Sequence, residues 1–168
     1  VNMKKDRIKQ IPNAKMHIGD ISNYEFMENI FGKNKITKVI HLAAQAGVRY
    51  SIENPFEYEK SNNLGTLNIF ELSKIYDISE IIYASSSSVY GGNSKVPFSV
   101  EDDVSNQVSL YAATKRYNEL LARTYYNLYG IKSVGLRFFT VYGSWGRPDM
   151  SYFKFMDRYR LGKKIKIY

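Results

Sequence analysis

Apolar residues recur along the chain at two spacings, and the spacing changes at regular intervals. Between Ser22 and Phe31, the positions Phe26, Met27, Ile30 and Phe31 fall on one helical stripe and predict an amphipathic helix. A longer helix is predicted from about Asn54 to Tyr76, with Leu64, Leu67, Ile69, Phe70, Leu72 and Ile75 as its apolar positions and Pro55 in its first turn. A third helix carries Tyr111 and Lys115 and continues to about Tyr129, where Gly130 supplies a stop. A fourth covers Met150 to Leu161. Short apolar runs lie between them: Ala14 to Gly19, Lys38 to Ala43, Ile81 to Ala84 and Ser133 to Phe138, with a further strand expected from Lys164 to Tyr168. A loop rich in Ser, Gly and Asn fills the interval from Ser85 to Asn106. Strands separated by helices require right-handed crossovers, so the pattern predicts a doubly wound α/β fold with a parallel sheet.

Composition narrows this reading. At 168 residues with 44% hydrophobic side chains, the chain has material for one domain-sized core. Cysteine is absent, which excludes disulfides and thiolate metal centres and suits a reducing compartment. No metal site is expected. No apolar run approaches the ~18 residues of a membrane span, and Val1-Asn2-Met3-Lys4-Lys5-Asp6 lacks the apolar centre of a signal peptide, so a cytoplasmic protein with no membrane partner is expected. The net charge of +8 favours anionic ligands, but Lys and Arg are scattered rather than clustered, which argues for surface solvation and against a nucleic-acid partner.

Candidate chemistry begins with Tyr111-Ala112-Ala113-Thr114-Lys115, because a tyrosine and a lysine four apart share one helix face. A phenol titrates near pH ~10, and a fixed positive charge beside it favours the phenolate that a general base requires. Upstream stands Tyr83-Ala84-Ser85-Ser86-Ser87-Ser88-Val89-Tyr90-Gly91, and downstream Arg137-Phe138-Phe139-Thr140-Val141-Tyr142-Gly143. In that order the three segments resemble the extended short-chain dehydrogenase/reductase family, and most closely its nucleotide-sugar epimerases. Four consecutive serines leave the register open on composition alone. Matching Val89-Tyr90-Gly91 to the family pattern selects Ser86.

The resemblance implies NAD as cofactor and a nucleotide sugar as substrate. It makes Tyr111 the base that takes a sugar hydroxyl proton while hydride passes to the nicotinamide. Lys115 tunes the phenol and holds the nicotinamide ribose, and Ser86 donates to the sugar oxygen. Asp20 and Ile21, in a Gly-Asp-Ile run, are implied adenine contacts. Leu42 and Ala43, at the end of the second predicted strand, and Ala44 and Ala46, just past it, are implied to line the cofactor, since small residues there let a flat ring approach the backbone. Ser61, with Asn62, lies mid-helix at the family position that approaches the nicotinamide ribose; helix packing accounts for both equally well. Phe138 would border the nicotinamide. Arg49, Ser87, Ser88, Thr140 and Arg147 are implied substrate contacts, a planar guanidinium being suited to carboxylate or phosphate. His41 lies inside a strand and reads as a packed core residue.

The run Val141-Tyr142-Gly143-Ser144-Trp145-Gly146-Arg147-Pro148-Asp149-Met150 resembles the UDP-glucuronate 4-epimerase subgroup. The activity so implied is inversion at C4 of a UDP-hexuronate through a 4-keto sugar. UDP-glucose, a UDP-N-acetylhexosamine, or a non-catalytic nucleotide- or RNA-binding role are the alternatives. Sugar 4,6-dehydratases resemble the Ser86 segment too, but place Asp and Glu where Ser87 and Ser88 stand, which points away from dehydration. The sequence contains no G-x-x-G-x-x-G turn, so residues 1–168 are expected to be an internal fragment. That fragment would be a partial NAD-binding Rossmann-type domain lacking its first strand-turn-helix and most of the C-terminal substrate domain. The substrate-binding region would start at about 144. Alone it is expected to be inactive, and at full length homodimeric.

Overall fold

The computed structural model describes residues 6–165. They form two compact units, His17–Phe139 and the described parts of Val1–Met16 with Thr140–Tyr168. The first unit contains, in chain order, α1 (Tyr24–Lys33), β1 (Val39–His41), α2 (Val48–Glu53), α3 (Pro55–Tyr58), a π-helical segment (Glu59–Leu64), α4 (Gly65–Ile75), β2 (Glu80–Ser86), a 3-10 turn (Ser87–Tyr90), α5 (Leu110–Tyr129) and β3 (Lys132–Phe138). The second contains α6 (Ser151–Arg160).

The three strands are parallel in the order β1-β2-β3, in the Rossmann manner, with Val39 opposite Ile81 and Tyr83 opposite Gly135. Alternation along each strand sends Ile81 and Tyr83 to one face, where Phe70 of α4 and Ala122 and Tyr125 of α5 close a core. On the same face Met27 and Phe31 of α1 pack with Ile69, Leu72 and Ile78. Val39 touches both clusters, so α1, α4 and α5 form a single layer. The opposite face, bearing Ile40, Ile82, Val134 and Leu136, is exposed. The second helical layer of a doubly wound sheet is not supplied by the described residues.

Capping explains where the helices begin and end. Asn23 accepts from Phe26 N at the start of α1, and Ser109 accepts from Ala112 N at the start of α5. Gly130 ends α5 in the left-handed region at φ 70°, which costs glycine no Cβ clash. The expected helix from Asn54 to Tyr76 is continuous in direction but winds as π between Glu59 and Leu64, and such wide turns concentrate at functional sites.

Two strand expectations need correction or restriction. Ala14 to Gly19 forms no strand: no neighbouring strand pairs with it, and Ile18 is exposed. Lys164 and Ile165 are irregular, and the rest of the strand expected at Lys164 to Tyr168 lies outside the described residues. α2 was not foreseen; it carries Arg49 and Tyr50 on a short helix. In the second unit, the Arg7 guanidinium donates to the Trp145 carbonyl and lies over the Trp145 ring, and Tyr152 Oη donates to Val141 O at 3.0 Å.

Candidate active site

The site is assembled where β2 leaves the sheet beside the first turns of α5. Lys115 points from α5 into the interior, is 2% exposed, and donates from Nζ to Ala84 O at 2.9 Å. Burial pushes its ammonium down from the ordinary 10.5 to about 8. Tyr111, one turn earlier on the same face, is half-buried; its ring meets Tyr58 edge-on at 6.1 Å, and its backbone N–H points to Ser51 Oγ at 3.4 Å. Two residues beyond Ala84, Ser86 ends the strand. Its hydroxyl accepts from Ser88 N and donates to Ser88 Oγ, each at 3.2 Å, so it caps the turn containing Ser87 and Ser88, both half-buried. Phe138 lies directly across the ladder from Ser86 and is 41% exposed.

The loop after β1 is held from behind. Buried Asn62, in the π-helical segment, accepts from Gln45 N at 2.8 Å and donates to Gln45 O and Thr114 Oγ1, both at 3.0 Å. Thr114 in turn donates to Tyr111 O at 2.9 Å. Tyr58, fully buried, donates to Gly47 O at 2.5 Å. With these anchors Leu42 and Ala43 stay exposed and Ala44 and Ala46 half-buried at the carboxyl edge of the sheet, the position at which such folds receive ligands. Ser61 is half-buried next to Asn62.

Asp20 and Ile21 occupy the approach to α1. Ile21 packs against Gly65, where a Cβ would stand 2.5 Å from it, and its carbonyl accepts from Asn68 Nδ2 at 3.0 Å. The glycine admits this side chain. The Asp20 carboxylate accepts from Ser22 N (2.9 Å) and Ser22 Oγ (2.8 Å) and pairs with Lys60 (3.0 Å). The Ser22 backbone donor, then Lys60 and the Ser22 hydroxyl, hold it at about 2. A carboxylate has about four lone-pair directions, so three partners leave one for a ligand donor.

Of the other residues singled out in the sequence, Arg49 and His41 lie in the first unit. Arg49 is exposed on α2. Thr140 and Arg147 belong to the second unit, where Arg147 makes a forked pair with Asp149, Nε to Oδ1 at 3.0 Å. His41 is buried with Nε2 3.0 Å from Thr66 Oγ1, and burial, then the charge of Lys115, pushes it down to about 4. It is neutral at pH 7 and serves packing. Sequence reasoning passed over Tyr58, Ser51 and Glu119. Of these, Glu119 alone carried a signal, four residues after Lys115 on the same face. Among the described residues no group of acidic and histidine side chains could hold a metal, and no helix is long and apolar enough to cross a membrane.

Known proteins share this sequence and architecture. Protein CapI of Staphylococcus aureus is 49% identical over 170 residues, covering 100% of this chain and 51% of that protein. UDP-glucuronate 4-epimerase 4 of Arabidopsis thaliana is 52% identical over 151 residues, covering 89% of this chain and 35% of that one. The chain thus spans about half the length, or less, of these curated relatives. The crystal structure of UDP-glucuronic acid 4-epimerase from Bacillus cereus, in complex with UDP-glucuronic acid and NAD, superposes with a TM-score of 0.87 at 31% identity over 99% of this chain and 53% of that one. The sequence profile described as GDP-mannose 4,6 dehydratase matches residues 1–167, and the chain belongs to that family of NAD-dependent epimerases and dehydratases.

Proposed function

We propose that the full-length protein is an NAD-dependent 4-epimerase of a UDP-sugar, converting UDP-glucuronate to UDP-galacturonate through a 4-keto sugar. The observation that carries this reading is the fastening of Lys115, on the Tyr111 face of α5, to the carbonyl two residues before Ser86. A half-buried phenol, a buried ammonium and a strand-end hydroxyl are thereby brought to one edge of the sheet. The small side chains Ala43, Ala44 and Ala46, together with the open lone pair of Asp20, fit a dinucleotide at its nicotinamide and adenine ends, with Leu42, Ile21, Ser61 and Phe138 beside them. Bound NAD⁺ would supply the hydride acceptor and donor that amino-acid side chains lack.

The chain's own residues handle the proton and the orientation. Tyr111 takes the proton from the sugar hydroxyl and returns it, as a general base and then acid. Lys115, with one N–H committed to Ala84 O, has two donors left for the ribose hydroxyls and the phenolate side of the site. Ser86 donates to the reacting oxygen. Dehydration would need an acid and a base at the next two positions, and Ser87 and Ser88 offer neither. A uronate carboxylate calls for a guanidinium, a role assigned to Arg147 with Thr140, and Arg49, Ser87 and Ser88 are assigned to the substrate. The full-length protein is proposed to be a cytoplasmic homodimer, and residues 1–168 alone to be inactive.

The test is turnover by the full-length protein on UDP-glucuronate, UDP-glucose and UDP-N-acetylglucosamine, with products resolved by NMR. Galacturonate formation at the highest kcat/KM is expected, with Tyr111→Phe reduced by about 10²-fold or more. Equal or faster turnover of UDP-glucose would remove the uronate assignment, and a 6-deoxy-4-keto product would remove the epimerase.

A further inference from the structure

A cluster of charge lies behind Ser86 that the chemistry above does not use. Glu119 stands one turn after Lys115 and two after Tyr111 on the same face of α5. Its side chain is 11% exposed and receives four hydrogen bonds. Ser85 Oγ donates to Oε1 at 2.7 Å, Arg137 donates through Nε to Oε1 at 2.9 Å and through Nη2 to Oε2 at 3.0 Å, and Arg116 donates to Oε2 at 3.0 Å. Burial by itself would raise this carboxyl, but the donors from Arg137 and Ser85, and then Arg116, outweigh it and hold it below its ordinary range. The group is ionised at neutral pH.

The partners belong to three different elements. Ser85 shares a peptide bond with Ser86 at the end of β2, Arg137 is the penultimate residue of β3, and Glu119 itself rides on the helix that carries Tyr111 and Lys115. Arg137 also lies over the Tyr90 ring at 5.0 Å, and Tyr90 stacks on Phe98 at 4.6 Å, so the same guanidinium also touches the last residue of the 3-10 turn. A buried ion pair is seldom a net source of stability, since well-packed apolar residues hold elements together as firmly. What a carboxylate adds is direction. It can take a forked guanidinium and a hydroxyl at once in fixed geometry.

We propose that Glu119 is a positioning residue that sets Ser86 at its working distance from Tyr111, acting through Ser85 and Arg137. This rests on the roles given to Ser86 and Tyr111 in the proposed function. Misplacement of a reacting group by about 1 Å costs about 10²-fold in rate, so a strand end tied to the catalytic helix by a rigid fork has a direct effect on turnover. Substrate affinity, set at the nucleotide end, should respond little.

The test is a double-mutant cycle in the full-length protein. Glu119→Gln keeps the volume and an acceptor for Ser85 but removes the charge that holds both guanidiniums. It is expected to lower kcat about 10- to 100-fold with KM changed less than about twofold, and to cost less than about twofold in a Ser86→Ala background, because the residue it positions is gone. Equal losses in both backgrounds would overturn the proposal. Should Glu119→Gln not fold, Ser85→Ala removes one link alone and is expected to show the same non-additivity; full kcat in Ser85→Ala would overturn it. Crystal structures of wild type and variant give an arm independent of turnover: Ser86 Oγ should move by about 0.5 Å or more relative to Tyr111, and coincident positions refute the inference even if the enzyme proves to act on no UDP-sugar. Loss of turnover in wild type with a displaced Ser86 in the variant would instead count against the proposed function and leave Glu119 its role.

Discussion

Replacing Lys115 by methionine should make the protein more stable while removing its activity. The ammonium is 2% exposed and pushed from 10.5 to about 8 by burial. At about 1.4 kcal/mol for each pH unit of displacement, holding the charge in the folded state costs about 3 kcal/mol. Against this stands the hydrogen bond to Ala84 O, with a net contribution of about 1 kcal/mol. Methionine has an unbranched stem of similar length and no charge to desolvate. The balance is a gain of about 2 kcal/mol at pH 7. Its pH dependence is the sharper test. A lysine whose folded pKa is depressed is charged in both states below pH 8, so the full cost is present there; between about 8 and 10.5 the unfolded chain holds more protons than the folded one, and stability rises with pH. The advantage of Lys115→Met should therefore shrink across that window and give way to a deficit of about 1 kcal/mol above it. Urea unfolding of full-length wild type and variant, without nucleotide, at pH 7, 9 and 11 reads this directly. A variant less stable than wild type by the same amount at every pH would refute the burial argument.

Two further substitutions probe the scaffold around this lysine. Asn62→Ala removes the Asn62 partner of both the backbone N–H and the backbone C=O of Gln45 and should destabilise by about 3 kcal/mol, with the Gln45 amide losing its hydrogen-exchange protection; retained protection would show that Asn62 does not hold the loop. His41, depressed to about 4, must gain a proton on acid unfolding, so stability should fall as pH drops from 6.5 to 4, and His41→Gln should flatten that limb by up to about 3 kcal/mol in urea titrations; an unchanged acid limb would mean the histidine is solvated.

Elements built from local pattern were legible in the sequence. α5 has a serine cap, a long apolar stripe and a terminal glycine, all within one stretch of chain, and the Tyr111–Lys115 pair could be placed on one face from spacing alone. β2 was legible because Ile81 to Ala84 is an apolar run that opens with two β-branched residues, although pairing with β3 carries it on to Ser86. Ala14 to Gly19 failed because a strand exists only when paired with another strand, and the partner is not specified by the segment's own residues. α2 was missed for the opposite reason: its six residues start after Gly47 at φ 114° and are held by burial of Ser51, which no periodicity announces. The roles of Glu119 and Asn62 needed the distances between α5, β3 and the loop after β1, and these exist only after folding.

The π-helical turn between Tyr58 and Gly65 holds one residue more than an α-helix needs for the same rotation. Loss of one residue there would let the winding relax to ordinary α with Tyr58 still facing the Gly47 carbonyl and Phe70 and Leu72 still in the core. What would go is the widened turn itself, which carries Asn62 and its bonds to Gln45 and Thr114. The spare residue works as a tab: it lets one short stretch reach toward the binding loop without turning the part of the helix that grips the sheet.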